Sequence, residues 1–381
     1  MDLPERRTFS QVPYELPDSP DLGIRYLSSI FQHTTNAYKF YWFLAILETV
    51  KAQEAIVSLD LLTAEMISQS WYPVRQFRLN FGAQDRLTQL VNTLAQQTFL
   101  NQKSSLKDVR DAVLVRSLSD GAFKKAQRSL QRYVPQRFLT PWFREPLKGV
   151  KDAQKDEYIR QLADDYFTSE MPPLYRFVAF PRFEGIEIHE KWQQYLFRHL
   201  RIIRAFVLWE LVQYLYTRNP HTPNIHEKLY PPRQRDLKLS TRYWKSILEL
   251  KPLQCIYSHD PLELSDLSID HFLPWSFVGH DQLWNLVPTS KSVNSKKSDA
   301  LPHQDYLEPF VNIHYDALQL WLENYARRQK TLEDFTNLYR CSVSELKNIS
   351  YGDFSKGLKD TLRPLEQIAM NMGFSEGWRY P

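Results

Sequence analysis

The stretch SIDHFLPWSFVGHDQLWNLVPTSKSVNSKKSDALP, residues 268–302, joins two β-prone runs to a Lys-rich segment in a chain that has few glycines. Alternating apolar residues predict a first strand over 267–273, and the run LWNLVP predicts a second strand over 283–288. The residues between them, LPWSFVGHDQ, are typical of a loop. A helix is expected to begin near Ser290 and to carry Val293 and Asn294. The predicted order is therefore strand, loop, strand and helix, a ββα unit.

This order brings particular polar side chains together. Asp270 and His271 end the first strand, Asn285 lies in the second, and Asn294 lies one turn into the helix. One carboxylate and one amide oxygen can hold Mg²⁺, because this ion keeps most of its waters and accepts phosphate oxygens as further ligands. A neutral imidazole can take a proton from an attacking water at physiological pH. We therefore predict Asp270 and Asn294 as metal ligands and His271 as the general base of phosphodiester hydrolysis.

The Asp–His pair needs a bend at the end of its strand. Neighbouring strand residues face opposite ways, so Asp270 and His271 cannot simply lie side by side. An isolated Asp–His pair is more often a capped turn with a surface histidine, but the full spacing to both asparagines favours a catalytic interpretation. His280, beside Asp281 in the loop, is interpreted as a solvated or bracing residue rather than as a second base.

The spacing resembles that of the HNH, or ββα-metal, endonuclease family, in the version found in the HNH lobe of CRISPR effector nucleases. In that version an Asn follows the His by fourteen residues and another Asn follows nine residues later, as Asn285 and Asn294 do here. A trailing Lys-Ser-Asp also recurs, at 297–299. The resemblance covers 255–299.

The resemblance implies a role for each of these positions. It implies that His271 is the general base, that Asp270 and Asn294 hold the metal, and that Asn285 braces the loop so that His271 points correctly. Many family members also carry two Cys-x-x-Cys pairs that bind a structural zinc. Here the first pair survives only as Cys255-Ile-Tyr-Ser, so no structural zinc is expected and packing must support the unit. Asn in place of a third histidine favours Mg²⁺ or Mn²⁺.

The rest of the chain is predicted to be mainly α-helical. Its ten glycines provide no glycine-rich phosphate loop and favour long helices. Thr35 or Asn36 is predicted to cap an early helix, and a long helix over 189–216 is predicted to follow a short strand at 185–188 and to end at Asn219-Pro220. The predicted segments are an N-terminal helical domain (1–150), a helical and basic linker region that could cradle DNA (151–250), the ββα-metal nuclease (251–305) and a C-terminal helical extension (306–381).

Basic residues are concentrated ahead of the ββα unit. Residues 191–251 contain twelve Lys or Arg and four Asp or Glu. The segment could be a solvated helix face, but we favour a DNA-backbone cradle because it adjoins the predicted site and neutralised phosphates release counterions. The lysines of the ββα helix have the same two interpretations. The predicted nucleic-acid contacts are Lys291, Lys296, Lys297, Arg198, Arg201, Arg204, Arg233, Arg235 and Lys238.

Composition indicates the class of protein and its expected location in the cell. A hydrophobic content of 43% with 24% charged residues predicts a globular protein, and a net charge of +4 is compatible with a polyanionic partner without identifying one. Two cysteines exclude a disulfide scaffold, and the longest apolar run, 40–47, is too short to span a membrane. A cytoplasmic protein with no membrane association is therefore expected.

Together these features predict an HNH endonuclease that uses Mg²⁺ or Mn²⁺ to nick one strand of double-stranded DNA at each site. A long helical region ahead of the nuclease unit also resembles stand-alone prokaryotic nucleases of antiphage defence and restriction systems. Target choice would then come from the helical domain or from a partner protein of such a defence system. Two alternatives remain open: a DNA-binding module whose HNH unit does not cleave, and an RNA-cleaving, toxin-like effector.

Overall fold

A computed structural model of the chain describes residues 16–82, 85–101, 104–232, 235–325 and 328–381. Helices hold most of these residues, and their strands form one three-stranded and one two-stranded sheet. The predicted fold class, mainly α-helical with a small ββα unit, is confirmed. The chain divides into two compact units, Met1–Pro220 and His221–Pro381. This division falls inside the segment predicted as 151–250, and the four predicted segments stay a prediction.

The first unit is helical apart from one small sheet. Its strands are β1 (Ile56–Ser58), β2 (Tyr175–Phe180) and β3 (Phe183–Ile188). Its helices are α1 (Ile24–Ser28), α2 (Tyr38–Lys51), α3 (Leu59–Arg75), α4 (Arg86–Gln97), α5 (Leu106–Ser119), α6 (Gly121–Gln131), α7 (Val134–Phe138), α8 (Asp152–Asp165), α9 (Glu190–Arg198) and α10 (Leu200–Arg218), with a 3-10 turn at Thr140–Phe143.

Helix α2 lies at the centre of this unit. Most of its residues are buried, and the indole of Trp42 donates a hydrogen bond to the hydroxyl of Tyr175 on β2 at 3.0 Å. The sheet has the antiparallel order β1-β3-β2. Gly185 of β3 allows this pairing, because a Cβ atom there would lie 2.4 Å from the carbonyl oxygen of Val57. The strand predicted at 185–188 is therefore confirmed within β3.

Two helix predictions in this unit are wrong in detail. Helix α2 begins at Tyr38 and has Ala37 at its N-cap, because the preceding residues form turns; neither Thr35 nor Asn36 caps it. The helix predicted over 189–216 is two helices that break at His199, where φ is −106° and ψ is 19°. No Pro or Gly marks this break in the sequence. The predicted stop is confirmed, since α10 ends before Asn219.

The second unit contains the ββα stretch within a helical frame. Among the described residues, no helix of either unit is long and apolar enough to span a membrane. The strands of the second unit are β4 (Leu267–His271) and β5 (Leu286–Ser290). Its helices are α11 (Lys238–Leu250), α12 (Trp275–Val278), α13 (Lys291–Lys297), α14 (Leu307–Asn324), α15 (Glu333–Tyr339), α16 (Val343–Lys347) and α17 (Tyr351–Asn371), with 3-10 turns at Glu227–Leu229, Leu283–Asn285, Gln304–Tyr306 and Gln329–Leu332.

Aromatic side chains join the helical frame to the strands. The indole of Trp244 on α11 donates to the carbonyl oxygen of Leu286 at the start of β5, at 3.0 Å. His314 of α14 is fully buried, and its ring centroid lies 5.2 Å from that of Trp244 and 4.5 Å from that of Phe310. Neither ring nitrogen of His314 has a hydrogen-bond partner among the described residues. Burial lowers the pKa of His314 to about 3, since its charged form would lose hydration.

His314→Phe is expected to raise the free energy of unfolding by about 1–3 kcal/mol at neutral pH, because it removes an unpaired polar group from the core. The unfolded histidine has a pKa of about 6.5, so the unfolded state binds an extra proton as pH falls below that value. Wild-type stability should therefore fall between about pH 6.5 and about pH 3, and the variant should lack this component. Urea unfolding across this range measures both effects. An identical pH dependence in the two proteins would contradict the assignment.

Candidate active site

The strands and the helix of the ββα unit form in the predicted order. Strands β4 and β5 are antiparallel, with His271 opposite Leu286. Helix α13 follows β5 directly, and the hydroxyl of Ser290 caps it by accepting a hydrogen bond from the backbone N–H of Val293 at 3.3 Å. The second strand starts at Leu286, later than predicted, because the preceding residues form a 3-10 turn. In this unit the C-terminal end of strand β4 therefore lies next to the C-terminal end of helix α13.

The loop between the strands is anchored by residues that precede the ββα unit. It contains α12, which is followed by Gly279 as its C-cap with φ of 68°. The ammonium of Lys228 is buried and donates to the carbonyl oxygen of Phe277 at 2.6 Å. The side-chain amide of Asn224 donates to the carbonyl oxygen of Val278 at 3.0 Å. Burial lowers the pKa of Lys228 to about 7. These contacts satisfy carbonyl groups at the end of a short helix and fix the loop's course.

Asn285 is fully buried and ties together the two sides of the loop. Its Oδ1 accepts a hydrogen bond from the backbone N–H of Leu273 at 2.9 Å, and its Nδ2 donates to the carbonyl oxygen of the same residue at 3.0 Å. Its own carbonyl oxygen accepts from the N–H of Phe272 at 2.9 Å. These are the contacts of a brace on the turn just after His271. The effect of this brace on catalysis stays a prediction.

Asp270 lies in a charged but almost solvent-free environment. Its side chain is 2% exposed, and the hydroxyl of Tyr257 donates to its Oδ2 at 2.8 Å. The ammonium of Lys297, from the last turn of α13, lies 3.1 Å from Oδ2 and 3.3 Å from Oδ1. Lys297 also donates to the carbonyl oxygen of His271 at 2.7 Å. The carboxylate is therefore charge-compensated by a buried lysine and held by a tyrosine.

His271 contacts a different set of partners from those of its neighbour. Its ring Nε2 lies 2.8 Å from Oδ1 of Asp281, and its side chain is 4% exposed. Oδ2 of Asp281 accepts a second hydrogen bond, from the backbone N–H of Asp236 at 3.2 Å. Burial alone would raise the pKa of Asp281, but the hydrogen bonds from the ring of His271 and from the backbone of Asp236 hold it below its usual value. An ionised carboxylate therefore faces the ring.

His280 packs within the loop between the strands. It is half-buried, its ring centroid lies 5.3 Å from that of Trp284, and its Nδ1 accepts from the N–H of Gln282 at 3.4 Å. Burial lowers the pKa of His280 to about 4, and the nearby ammonium of Lys228 adds to this effect. A neutral ring packed on an indole matches the bracing interpretation of this residue.

Asn294 is anchored through its amide nitrogen. Nδ2 donates to the hydroxyl of Ser268 at 2.8 Å and to the carbonyl oxygen of Ile269 at 3.2 Å, both on β4. No described residue donates to its Oδ1, the atom that a hard cation would use. Asn294 is therefore held beside Ile269, the residue before Asp270, and its Oδ1 receives no hydrogen bond from the described residues.

The side chains of Asp270 and Asn294 have the chemistry that a hard divalent cation needs, although the ammonium of Lys297 already lies beside Asp270. Asp270 and Asn294 supply one carboxylate and one free amide oxygen, the donor types that Mg²⁺ and Mn²⁺ prefer. In the described ranges, no group of three or more His, Cys, Asp or Glu side chains is arranged to hold a metal. The ammonium of Lys297 occupies the immediate surroundings of Asp270, so a bound divalent ion would have to compete with it.

The lysines of α13 differ in their surroundings. Lys291 is exposed and donates to the carbonyl oxygen of Ser265 at 3.3 Å. Lys296 is also exposed and lies 4.7 Å from the ring centroid of Tyr380. Lys297, 1% exposed, is turned inward onto Asp270. Lys291 and Lys296 are exposed, and their contact with phosphate stays a prediction, whereas the buried position of Lys297 disfavours that role.

The basic residues that were predicted to form a DNA-backbone cradle are distributed over both units. Arg198 and Arg201 are exposed in the first unit, and Arg204 there pairs with Glu48. In the second unit Arg235 lies 5.4 Å from the ring centroid of Trp275, near the candidate site, and Lys238 is exposed at the start of α11. Arg233 lies outside the described residues. A phosphate contact by these residues stays a prediction.

The Cys-Ile-Tyr-Ser segment at 255–258 packs against the ββα unit. Cys255 is buried, with its Sγ 3.2 Å from the hydroxyl oxygen of Thr289 on β5. Two residues further on, Tyr257 reaches Asp270. In the sequence, Tyr257 is marked only as part of the Cys-Ile-Tyr-Ser segment, and Asp281 only as a neighbour of His280. Their contacts depend on how loops fold back onto β4, and the residue types alone carried no signal of them.

Comparison with known proteins agrees with this geometry. Residues 255–303 match the family described as HNH endonuclease. The matched range contains Asp270, His271, Asn285 and Asn294. No curated protein and no solved structure shows significant similarity to the chain.

The family match identifies a nuclease domain within this chain. Residues 255–303 are an HNH endonuclease domain, embedded in the second unit of this chain. Such a domain acts on nucleic acid, and HNH nucleases generally use divalent metal ions.

The buried pair of Lys297 and Asp270 yields a stability prediction. Lys297→Met should lower the free energy of unfolding by about 3–5 kcal/mol, because it leaves a buried carboxylate without its cation. Asp270→Asn should be costly for the converse reason, and the double variant should lose much less than the sum of the two. Urea unfolding of the four proteins measures the coupling.

Lys359→Met is the matched control for this cycle. Lys359 pairs with Glu308, whose side chain is 54% exposed, so its loss should cost less than about 1 kcal/mol. Additive effects of Lys297→Met and Asp270→Asn would show that the pair contributes no coupling.

Proposed function

We propose that this chain is a metal-dependent DNA endonuclease that hydrolyses one phosphodiester bond of double-stranded DNA at each site. The observation that carries the proposal is the meeting of β4 and α13. There Asn294 is hydrogen-bonded to Ser268 and Ile269, next in the chain to Asp270 and His271. A base and two hard oxygen ligands at one junction are the parts that water attack on a phosphodiester needs.

Each residue has a proposed role. His271 accepts a proton from water as the water oxygen attacks phosphorus. The bond from phosphorus to the 3′ oxygen breaks, and that oxygen takes a proton from solvent, which leaves a 5′-phosphate and a 3′-hydroxyl. Asp270 and Asn294 would hold Mg²⁺ or Mn²⁺, which would supply positive charge to the phosphate. Asn285 keeps the turn after His271 in place. Lys291 and Lys296, exposed on α13, are proposed phosphate contacts.

The proposed biological role rests on the one HNH domain and on the helical unit that precedes it in the sequence. One HNH domain cuts one strand, so a double-strand break would need a dimer, a second visit or a partner. A helical unit ahead of the nuclease resembles prokaryotic defence and restriction nucleases, which supports a cytoplasmic defence role. Target choice would then come from the first unit or from a partner protein.

Incubation of supercoiled plasmid with the purified chain tests the proposal. Wild type with Mg²⁺ or Mn²⁺ should convert supercoiled plasmid to open circles, and EDTA should stop the reaction. His271→Ala should slow nicking by about 10²–10⁴-fold, the usual contribution of a general base, while DNA binding in EDTA stays the same.

The possible results separate the proposal from its alternatives. Binding without cleavage under any metal would contradict the proposal in favour of a DNA-binding module. Cleavage of a single-stranded RNA with intact plasmid would favour an RNA-cleaving effector. Wild-type nicking by His271→Ala would remove His271 from the mechanism.

A further inference from the structure

The geometry points to Asp281 as a positioning residue for the proposed base, acting through a direct hydrogen bond to the His271 ring. This inference rests on the proposed function and assigns a second residue to the same site. Asp281 lies in the loop, ten residues beyond His271, and the structure brings its Oδ1 to 2.8 Å from Nε2 of the imidazole. Neither the spacing of the sequence motif nor the predicted ligand set includes it.

The Asp281 carboxylate is itself held in place from a second direction. Its Oδ2 accepts a hydrogen bond from the backbone N–H of Asp236, at 3.2 Å, on the segment that leads into α11. Its side chain is 21% exposed, whereas that of His271 is 4% exposed. One carboxylate thus links the end of β4 to a separate segment, which restricts the rotation of the ring.

The contact also selects the tautomer of the ring. An ionised carboxylate accepts hydrogen bonds and donates none, so a neutral imidazole facing it must carry its proton on Nε2. The opposite nitrogen, Nδ1, is then the unprotonated one. No hydrogen bond joins Nδ1 of His271 to any residue that the structure describes. The ring therefore has a free lone pair on the nitrogen that faces away from Asp281, as a base needs.

The carboxylate would also stabilise the product of proton transfer. When Nδ1 takes a proton from water, the ring becomes a cation while its other nitrogen still donates to the anionic Asp281. A carboxylate in this position orients the ring and favours the charged form as it develops, the role that the aspartate plays in Ser-His-Asp enzymes. Because Asp281 touches the ring and not the reacting atoms, it is a positioning residue.

Two variants of Asp281 test the inference. Asp281→Ala removes both hydrogen bonds. Asp281→Asn keeps the size of the side chain, but its single carbonyl oxygen cannot serve both His271 and the N–H of Asp236. Each variant should lower the single-turnover rate of plasmid nicking by about 10²–10⁴-fold, the range seen when a base loses its orienting carboxylate. DNA affinity measured in EDTA should change by less than about threefold, since no binding contact is lost.

A matched control separates this effect from the general loss of a carboxylate. Asp305 also faces a histidine, His303, at 3.3 Å, and pairs with Arg379 at 2.6 Å. It lies in the same unit but contacts none of the site residues named above. Asp305→Ala should nick plasmid at the wild-type rate.

A spectroscopic measurement reports on the ring directly. In protein labelled with ¹⁵N-histidine, the His271 signals, assigned by their loss in His271→Ala, should show the Nε2–H tautomer in wild type. In Asp281→Ala the tautomer population should shift toward Nδ1–H, and in Asp305→Ala it should not. A residue that only supports the fold would leave this ratio unchanged.

The outcomes distinguish this inference from the proposed function. Nicking by both Asp281 variants at the wild-type rate, or an unchanged tautomer in Asp281→Ala, would overturn the positioning role while the nuclease activity stands. If wild type cleaves no nucleic acid, the proposed function fails, and a tautomer shift in Asp281→Ala would still support the positioning of His271. If Asp281→Ala fails to fold, the isosteric Asp281→Asn decides the kinetic question.

Discussion

The buried ion pair between Lys297 and Asp270 is the interaction on which the site depends. Both side chains are almost completely removed from solvent, and a buried charge without its partner costs several kcal/mol. Helix α13 must therefore pack with its last turn facing β4. Once it does so, Asn294, one turn earlier on the same helix, meets the backbone of Ile269 on that strand. One electrostatic constraint thus places both predicted metal ligands at the same junction.

Packing supports the ββα unit on more than one side. Tyr257 donates to Asp270, and Cys255 lies against Thr289 of β5, so the Cys-Ile-Tyr-Ser segment closes one side of the unit. On another side the indole of Trp244 donates to the carbonyl oxygen of Leu286. The domain is therefore part of a larger hydrophobic core that the surrounding helices complete, and its geometry depends on theirs.

The sequence predicts what depends on local spacing and misses what depends on folded loops. Strand alternation and the Ser290 cap predict the order of the ββα unit, and the spacing of Asn285 and Asn294 from His271 indicates the family. The contact of Asp281 with His271 depends on the course of the loop, which Lys228 helps to fix from a distant segment. The inward turn of Lys297 likewise follows from the register of a short helix on a strand, which residue type alone does not specify.

We propose that Asp270 is the carboxylate ligand of a divalent ion and that Lys297 compensates its charge until that ion binds. Calorimetric titration of Mn²⁺ into wild type and into Asp270→Asn tests this assignment, with Asp305→Asn as control because the Asp305 carboxylate pairs with Arg379 and contacts none of the site residues. We expect one site in wild type and in the control, and binding to Asp270→Asn that is weaker by at least about tenfold. Equal affinity and stoichiometry in wild type and Asp270→Asn would contradict it.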